Sequence, residues 1–347
     1  MIEIDGSLGE GGGQIVRSSL ALSLVTGQPV TIDNIRAHRK KPGLGRQHLT
    51  AVRAASEISR AHLQGAAIGS TRLVFQPGPV RAGTYAFRIG TAGSTTLVLQ
   101  TILPALMIAE DISTVTLEGG THNPLAPSYD FLAHAYLPLL ERIGVRVNAA
   151  LQRPGFFPAG GGKFTVSIQP CQQLGRLELL HRGPILARRV VAAVAKLPRH
   201  IAERECQAIA KKTGWKQSCF TVQEISDSAG PGNVVTIQLR AEHVNALFVG
   251  FGQRGVRAEV VGTRTLKEAR QYIEADVPVG RHLADQILLP LGIGAYQGGG
   301  GGVFRTLPLS QHAITHIEVL KRFLDVQINV QEERGGVDVV RIEPRGT

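Results

Sequence analysis

Asp5-Gly6-Ser7-Leu8-Gly9-Glu10-Gly11-Gly12-Gly13-Gln14-Ile15-Val16-Arg17 stands near the start of the chain, and the apolar run that follows, Ile15 to Val25, closes at Gly27. A glycine-rich turn feeding a buried helix is the unit from which the fold is read. Glycines ahead of a helix let backbone N–H groups approach an anion at the positive end of the helix dipole. Arg17 lies near that end, where a cation is disfavoured unless an anion joins it. Glu10 is the one acid among the glycines and is suited to hold a metal ion beside bound phosphate. The same residues also suit a plain tight turn with close backbone packing.

The pattern recurs. After the first helix, 14–26, come a strand near 30–33, a helix over 46–60 with Leu49, Val52, Ala55 and Ile58 on one face, and strands near 72–76 and 84–89. A second copy starts at Gly90-Thr91-Ala92-Gly93-Ser94, with an apolar helix 95–108, a strand 113–118, an amphipathic helix 128–143 closed by Gly144, and strands near 145–149 and 163–168. A third has an apolar helix from Leu283 to Leu291, the run Gly298 to Gly302 before a short strand, a helix over 310–324, and strands 326–331 and 337–342. This predicts an α/β (α+β) fold, three repeated β-α-β-α-β-β units packed as one large domain over residues 1–180 and 277–347. Residues 181–276 break the pattern and are more charged. They carry a strand (Ala187 to Ala193), a helix (Arg199 to Lys212), paired strands (219–225 and 233–239) around the turn Ser226 to Gly232, and a helix (Leu266 to Glu274), which predicts a small inserted α/β domain.

At 347 residues, 43% hydrophobic and 19% charged, the chain can bury a sizeable core. Its 38 Lys and Arg against 27 acids give a net charge of +11, which favours polyanionic partners, nucleic acid above all. Cys171, Cys206 and Cys219 show no CxxC spacing, which argues against a disulfide framework or a cysteine zinc site. Glu3 and Asp5 stand where a secretory signal would be basic, and no stretch reaches the roughly 20 apolar residues of a membrane span, so a cytoplasmic, reduced protein is expected.

Two near-matches are set aside. Gly160-Gly161-Gly162-Lys163-Phe164 puts Phe where a phosphate loop needs Ser or Thr, and Glu3-Ile4-Asp5-Gly6 lacks the nucleophilic lysine of K-x-D-G nucleotidyltransferases. The basic stretch Arg36-Ala37-His38-Arg39-Lys40-Lys41-Pro42-Gly43-Leu44-Gly45-Arg46-Gln47-His48 ends in another glycine-punctuated helix start. Arg36 and Arg39 offer planar forks to phosphate oxygens; a solvated basic loop is the alternative. In Ser310-Gln311-His312-Ala313-Ile314-Thr315-His316, Ser310 is a good N-cap and puts His312 in the first helical turn. The dipole there favours a neutral ring and attracts a phosphate, and a neutral imidazole can attack phosphorus. His312 and His316 also share a face on which zinc could sit, or His312 is an ordinary surface residue. Asp285 interrupts an apolar helix, either orienting an imidazole or facing solvent.

Together these residues resemble the RNA 3′-terminal phosphate cyclases over essentially the full length. The blocks that carry the resemblance are DGSLGEGGGQIVRSSLALS (5–23), RKKPGLGRQHLTAV (39–52), GTAGSTTLVLQTILPAL (90–106), GFFPAGGG (155–162), LPRHIAERE (197–205), HLADQILLPL (282–291) and SQHAIT (310–315). The family signature is a glycine, two variable residues, then Pro-x-Gly-Gly-Gly. The resemblance implies a repeat-built fold similar to the enolpyruvyl transferases with a small inserted domain. It implies ATP-dependent conversion of an RNA 3′-phosphate to a 2′,3′-cyclic phosphate through a histidyl-AMP, with Mg²⁺ or Mn²⁺. The implied roles are nucleophile for His312, its partner for Asp285, and metal ligand for Glu10. Arg17, Arg36, Arg39 and Gln47 match residues around the phosphates or RNA end, and Gln100, Pro127, His282, Asp285 and Gln286 match residues near the adenylate. The sequence departs from the family where His282 replaces a frequent Tyr stacked on adenine, where His316 replaces a common Asn, and where Pro154 precedes the signature glycine. The family's eukaryotic paralogues that act in ribosome biogenesis without cyclase chemistry are the competing reading, but they lack the nucleophilic histidine. Nothing in the sequence fixes an oligomeric state.

Overall fold

The computed structural model describes residues 1–346 and resolves the repeat into sheets. The first unit comprises β1 (Ile2–Asp5), α1 (Gly13–Thr26), β2 (Val30–Asp33), α2 (Arg46–Ser59), β3 (His62–Gln64) and β4 (Leu73–Gln76), in sheet order β1-β2-β4-β3 with only β1 and β2 parallel. The second has β5 (Thr84–Arg88), α3 (Thr95–Leu106), β6 (Ser113–Gly119), a helical stretch of α4 (Tyr129–Phe131), a π turn over Leu132–Tyr136 and α5 (Leu137–Arg142), then β7 (Arg146–Arg153) and β8 (Gly162–Gln169), in the same order β5-β6-β8-β7. The third begins with β9 (Arg176–Leu179). It is interrupted by β10 (Ile185–Ala195), α6 (His200–Thr213), β11 (Phe220–Ile225), β12 (Gly232–Ala241), β13 (Asn245–Phe251) and α7 (Ala258–Ala275), whose strands form a separate sheet, β11-β10-β12-β13. The unit resumes with α8 (Arg281–Tyr296), β14 (Gly301–Thr306), α9 (Gln311–Phe323), β15 (Val326–Glu333) and β16 (Val337–Pro344), in order β9-β14-β16-β15.

The α/β, three-unit reading holds, with corrections to the strand bookkeeping. The strand near 84–89, expected to finish the first unit, opens the second, pairing parallel with β6. Pro77-Gly78-Pro79 carries the chain away from β4, and the Gly78 N–H caps the Ser59 carbonyl at the end of α2. The first unit's real third strand, β3, is three residues long, too short to show a period. The third unit's first strand, β9, was hidden because the insertion separates it from α8. In the insertion, β13 was not foreseen, and α7 starts at Ala258 rather than Leu266.

The helices of the three units share one apolar core that includes Leu20 and Leu22 of α1, Ile102 and Leu103 of α3, Leu288 of α8 and Leu320 of α9. The first helices of the second and third units repeat a short pattern, Leu97-Val98-Leu99-Gln100-Thr101-Ile102-Leu103-Pro104 against Leu283-Ala284-Asp285-Gln286-Ile287-Leu288-Leu289-Pro290. The inserted sheet has its own core around Val190, Ile209, Ile237, Leu266 and Tyr272. Its two connections are clasped by buried Arg182, which donates to the Asp276 carboxylate at 2.8 Å and to the Tyr272 carbonyl at 3.3 Å. No helix among the described residues is long and apolar enough to cross a membrane.

The signature loop 155–162 fills the seam between the second unit and the insertion. Phe156 packs with Ala193, Ala195 and Val234, and a Cβ at Gly232 would lie 2.1 Å from the Phe156 ring. Phe156 is itself buried, so it has nowhere to go. Gly232→Ala is therefore expected to cost about 1–3 kcal/mol, the range for overpacked cores, and a lowered urea midpoint measures it.

Candidate active site

Asp285 is the centre of the site. It sits one turn into α8, with a side chain only 9% exposed. Its Oδ1 accepts from Gln14 Nε2 of α1 at 2.8 Å and from His312 Nδ1 of α9 at 2.9 Å, with His316 Nδ1 a further 3.4 Å away. Its Oδ2 accepts from Gln286 Nε2 at 3.0 Å, and Gln286 in turn accepts from Gln100 of α3. Burial alone would raise the Asp285 carboxyl, but the hydrogen bonds from His312 and His316 outweigh it and hold the group well below the usual carboxylate range. A carboxylate only accepts, so His312 carries its proton on Nδ1 and turns Nε2 away from Asp285.

Local sequence explains the placement. Ser310 Oγ accepts from the Ala313 N–H at 3.1 Å, the N-cap expected, and this sets His312 in the first turn of α9 with its side chain about a third exposed. His316, one turn on, is buried and donates from Nδ1 to the Asp285 carbonyl at 3.2 Å. Each imidazole presents its Nδ1–H to Asp285 and keeps Nε2 as its lone pair. Among the described residues no group of three or more His, Cys, Asp or Glu could hold a metal, which removes the zinc alternative.

A cleft open to solvent is lined by Gln14, Arg17, Ser18, Gln100, Asp285, Gln286, His312 and His316, with Pro104, Tyr136 and Leu289 as apolar walls. Arg17 is the cation of this cleft. Burial lowers its guanidinium to about 10, while Asp285 pulls the other way. Of the residues singled out from sequence, the structure brings together Arg17, Gln100, Asp285, Gln286 and His312.

The others lie outside that lining. Arg36 spends one arm of its fork on the Gly43 carbonyl at 2.7 Å, and burial, then the charge of Arg39, lowers its pKa. Arg39 is exposed, 3.6 Å from Glu10, and lies over the glycine run, where a Cβ on Gly12 would be 2.9 Å from its Nη2. Gln47 accepts from the Ser94 N–H at 2.8 Å, joining the first turn of α2 to the cap of α3. Pro127 accepts from Thr96 Oγ1 at 2.7 Å through its carbonyl. His282 is exposed on the first turn of α8.

The glycine run has steric reasons of its own. Gly9 has φ +55°, and a Cβ there would fall 2.0 Å from Thr315 Oγ1 of α9; a Cβ on Gly13 would fall 2.1 Å from His48 Nε2. α1 starts behind Gly12 with no side-chain cap, so its first N–H groups have no side-chain acceptor.

Sequence reasoning missed Gln14 and His48, and it weighed His316 as a zinc ligand and as a replacement for the family's common Asn. Gln14 follows the glycines directly, and His48 follows a basic stretch, but nothing in periodicity says that either turns inward. His48 Nδ1 accepts from the Gly45 N–H at 3.3 Å. Burial, then the charges of Arg17 and Arg36, lowers its pKa from 6.5 to about 3.

The comparisons with known proteins agree with one another. The family model for RNA 3′-terminal phosphate cyclase matches residues 8–330. The chain is 48% identical over 333 residues to the RNA 3′-terminal phosphate cyclase of Koribacter versatilis, covering 96% of this chain and 92% of that one. It is 47% identical over 343 residues to the protein of that name from Ralstonia nicotianae (99% and 96% covered), and 45% identical over 340 residues to the one from Salmonella paratyphi C (98% and 97% covered). Fold and relatives together define a repeat-built α/β protein of the phosphate cyclase type. The chain belongs to the RNA 3′-terminal phosphate cyclase family.

The state of His48 gives a pH test with a fixed sign. Between pH 6.5 and 3 the unfolded chain takes up a proton that folded His48 refuses, so stability falls on acidification and this contribution vanishes above 6.5. From pH 7 to pH 5, where Asp285 is ionised in either state, His48 accounts for a loss of at most about 2 kcal/mol. Urea midpoints at the two pH values are expected to differ less in His48→Asn than in the unsubstituted protein.

Proposed function

We propose that this chain converts an RNA 3′-terminal phosphate to a 2′,3′-cyclic phosphate at the expense of ATP, with His312 as the nucleophile. The observation that carries the reading is the pinned imidazole. His312 donates through Nδ1 to a saturated, buried carboxylate, which leaves Nε2 as the lone pair at the edge of a cleft whose cation is Arg17.

The chemistry follows from need. A phosphate monoester lacks a good leaving group, so a neighbouring hydroxyl cannot displace an oxygen from it at a useful rate. In the first step His312 Nε2 attacks the α-phosphorus of ATP, an N–P bond forms, the bond to the β-phosphate oxygen breaks, and pyrophosphate leaves. The ring gains positive charge as it reacts, and Asp285 on Nδ1 stabilises it. Arg17 and the uncapped N–H groups of α1 suit the negative charge on the phosphates. In the second step an oxygen of the RNA 3′-phosphate attacks the same phosphorus and breaks the N–P bond, giving an RNA capped by AMP through a diphosphate. In the third the adjacent 2′-OH loses its proton, attacks the RNA phosphorus and expels AMP, which closes the cycle.

The residues matched to the adenylate are Gln100, Gln286, Pro127 and His282; the first two line the cleft. For the RNA end, Arg39 with its exposed neighbours Lys40, Lys41 and Arg46 offers the basic approach, while Arg36 and Gln47 hold the loops that present it. Glu10 is an exposed lone carboxylate beside the glycines, which fits Mg²⁺ or Mn²⁺ held by one carboxylate and by the substrate's own phosphates rather than in a protein cage. An ion held there would neutralise charge on the substrate's phosphates. The names of the relatives do not favour the non-catalytic reading.

Incubation with α-labelled ATP and Mg²⁺ is expected to give an acid-labile, alkali-stable protein–AMP bond, absent from His312→Ala. Label that persists in that variant overturns the nucleophile assignment. Asp285→Asn keeps the shape and removes the charge, and adenylation is expected to slow on the order of a hundredfold or more, read as single-turnover labelling.

A further inference from the structure

His316 is a buried imidazole that the reaction just described does not use. It is 6% exposed and lines the same cleft as His312. Its Nδ1 faces two oxygens of one residue, the Asp285 carbonyl at 3.2 Å and Oδ1 at 3.4 Å. Both are acceptors, so the proton sits on Nδ1, and Nε2 is left as a bare lone pair. That Nε2 is sealed from solvent and has no hydrogen-bond partner. A ring held by one nitrogen, with the other orphaned, is kept for what the first nitrogen does.

We propose that His316 is a positioning residue for the nucleophile: it shares Asp285 with His312 and limits the carboxylate's hold on the His312 ring. The inference rests on the reading of His312 as the nucleophile. Oδ1 receives Gln14 and His312 directly, and His316 approaches it as a third N–H. Each additional donor draws electron density from the oxygen and makes it a weaker acceptor for the others. An Asp285 relieved of His316 binds a protonated His312 more tightly, and a protonated ring has no lone pair with which to attack. The second contact, to the Asp285 carbonyl, fixes α8 against α9, so that the carboxylate does not drift from His312.

The charged and titratable groups facing this pair are few. α1 contributes Arg17, α8 Asp285, α9 the two histidines, and the π turn Tyr136; α3 contributes only the neutral Gln100. Arg17 is a permanent cation and Tyr136 is raised further from neutrality by burial. Arg17 and Asp285 are therefore the charges that the two imidazoles meet in the cleft.

The test separates the two nitrogens. Asn places its amide N–H near the position of imidazole Nδ1, whereas Leu offers no donor. The rate of single-turnover labelling by α-labelled ATP is measured against pH for the unsubstituted protein, His316→Asn and His316→Leu. His316→Leu is expected to move the acidic limb of the profile upward by about half a pH unit, the equivalent of part of one hydrogen bond, and to slow labelling with little change in the ATP concentration needed for half-maximal rate. His316→Asn is expected to keep the limb where it was. If Leu does not give folded protein by circular dichroism, His316→Met, which also offers no donor, replaces it with the same expectation. An unmoved limb in the donor-less variant overturns the proposal, whatever happens to the rate. No label in the folded, unsubstituted protein, or label retained in His312→Ala, instead overturns the reading of His312, so the two failures are told apart.

Discussion

The structure depends on one buried carboxylate. Taking the Asp285 charge out of water is costly, and it is tolerated because donors arrive from Gln14, His312 and Gln286, with His316 beside them. Those donors do not come from one piece of chain. Gln14 belongs to the first unit, and Gln286 links through Gln100 to the second. The site therefore exists only when the three units have packed, and any looseness between them leaves a buried charge short of partners. Fold stability and the poise of His312 are two readings of the same hydrogen bonds.

The internal repeat shows how such a site arises in a duplicated scaffold. α3 and α8 carry the same Gln-x-x-x-Pro spacing, and the two glutamines meet across the seam. The residue before each glutamine differs, Leu99 in α3 and Asp285 in α8. Leu99 is fully buried among apolar neighbours, as a helix at the centre of a core demands. At the equivalent place the third unit puts an acid, whose partners come from α1, α8 and α9. One apolar seam between helices is thereby converted into a polar cleft, while the second-unit seam continues to hold the core.

Much of this was legible in the sequence, and the reasons for the rest are physical. Ser310 announced the start of α9 and placed His312, because capping is a local matter of one hydroxyl and one N–H. Asp285 stood out because a charge in an apolar helix needs a partner. The repeat was visible in its helices but not in its short strands: β3 has three residues, and β9 four, on the far side of an insertion from the rest of its unit. Long-range pairings carry no local signature. Nothing near Arg36 shows that its fork is used on Gly43, nothing near Gln47 shows that it caps Ser94, and nothing near Gln14 shows that it reaches a residue 271 positions away.

The glycine run at residues 9–13 illustrates how two readings that look opposed can both hold. As a tight turn it is required sterically, since Thr315, His38, Arg39 and His48 lie against the backbone where side chains on Gly9, Gly11, Gly12 and Gly13 would stand. Three separate segments of chain press on it, so a residue with a Cβ would push apart α9, the basic loop and the start of α2 together. The glycines alone thus say nothing about phosphate. What gives the turn its chemical character is the company it keeps: an uncapped helix start behind it, Arg17 one turn further in, and α9 held close enough for His312 to share the cleft. Close packing of the turn is what brings the beginning and the end of the chain to one site.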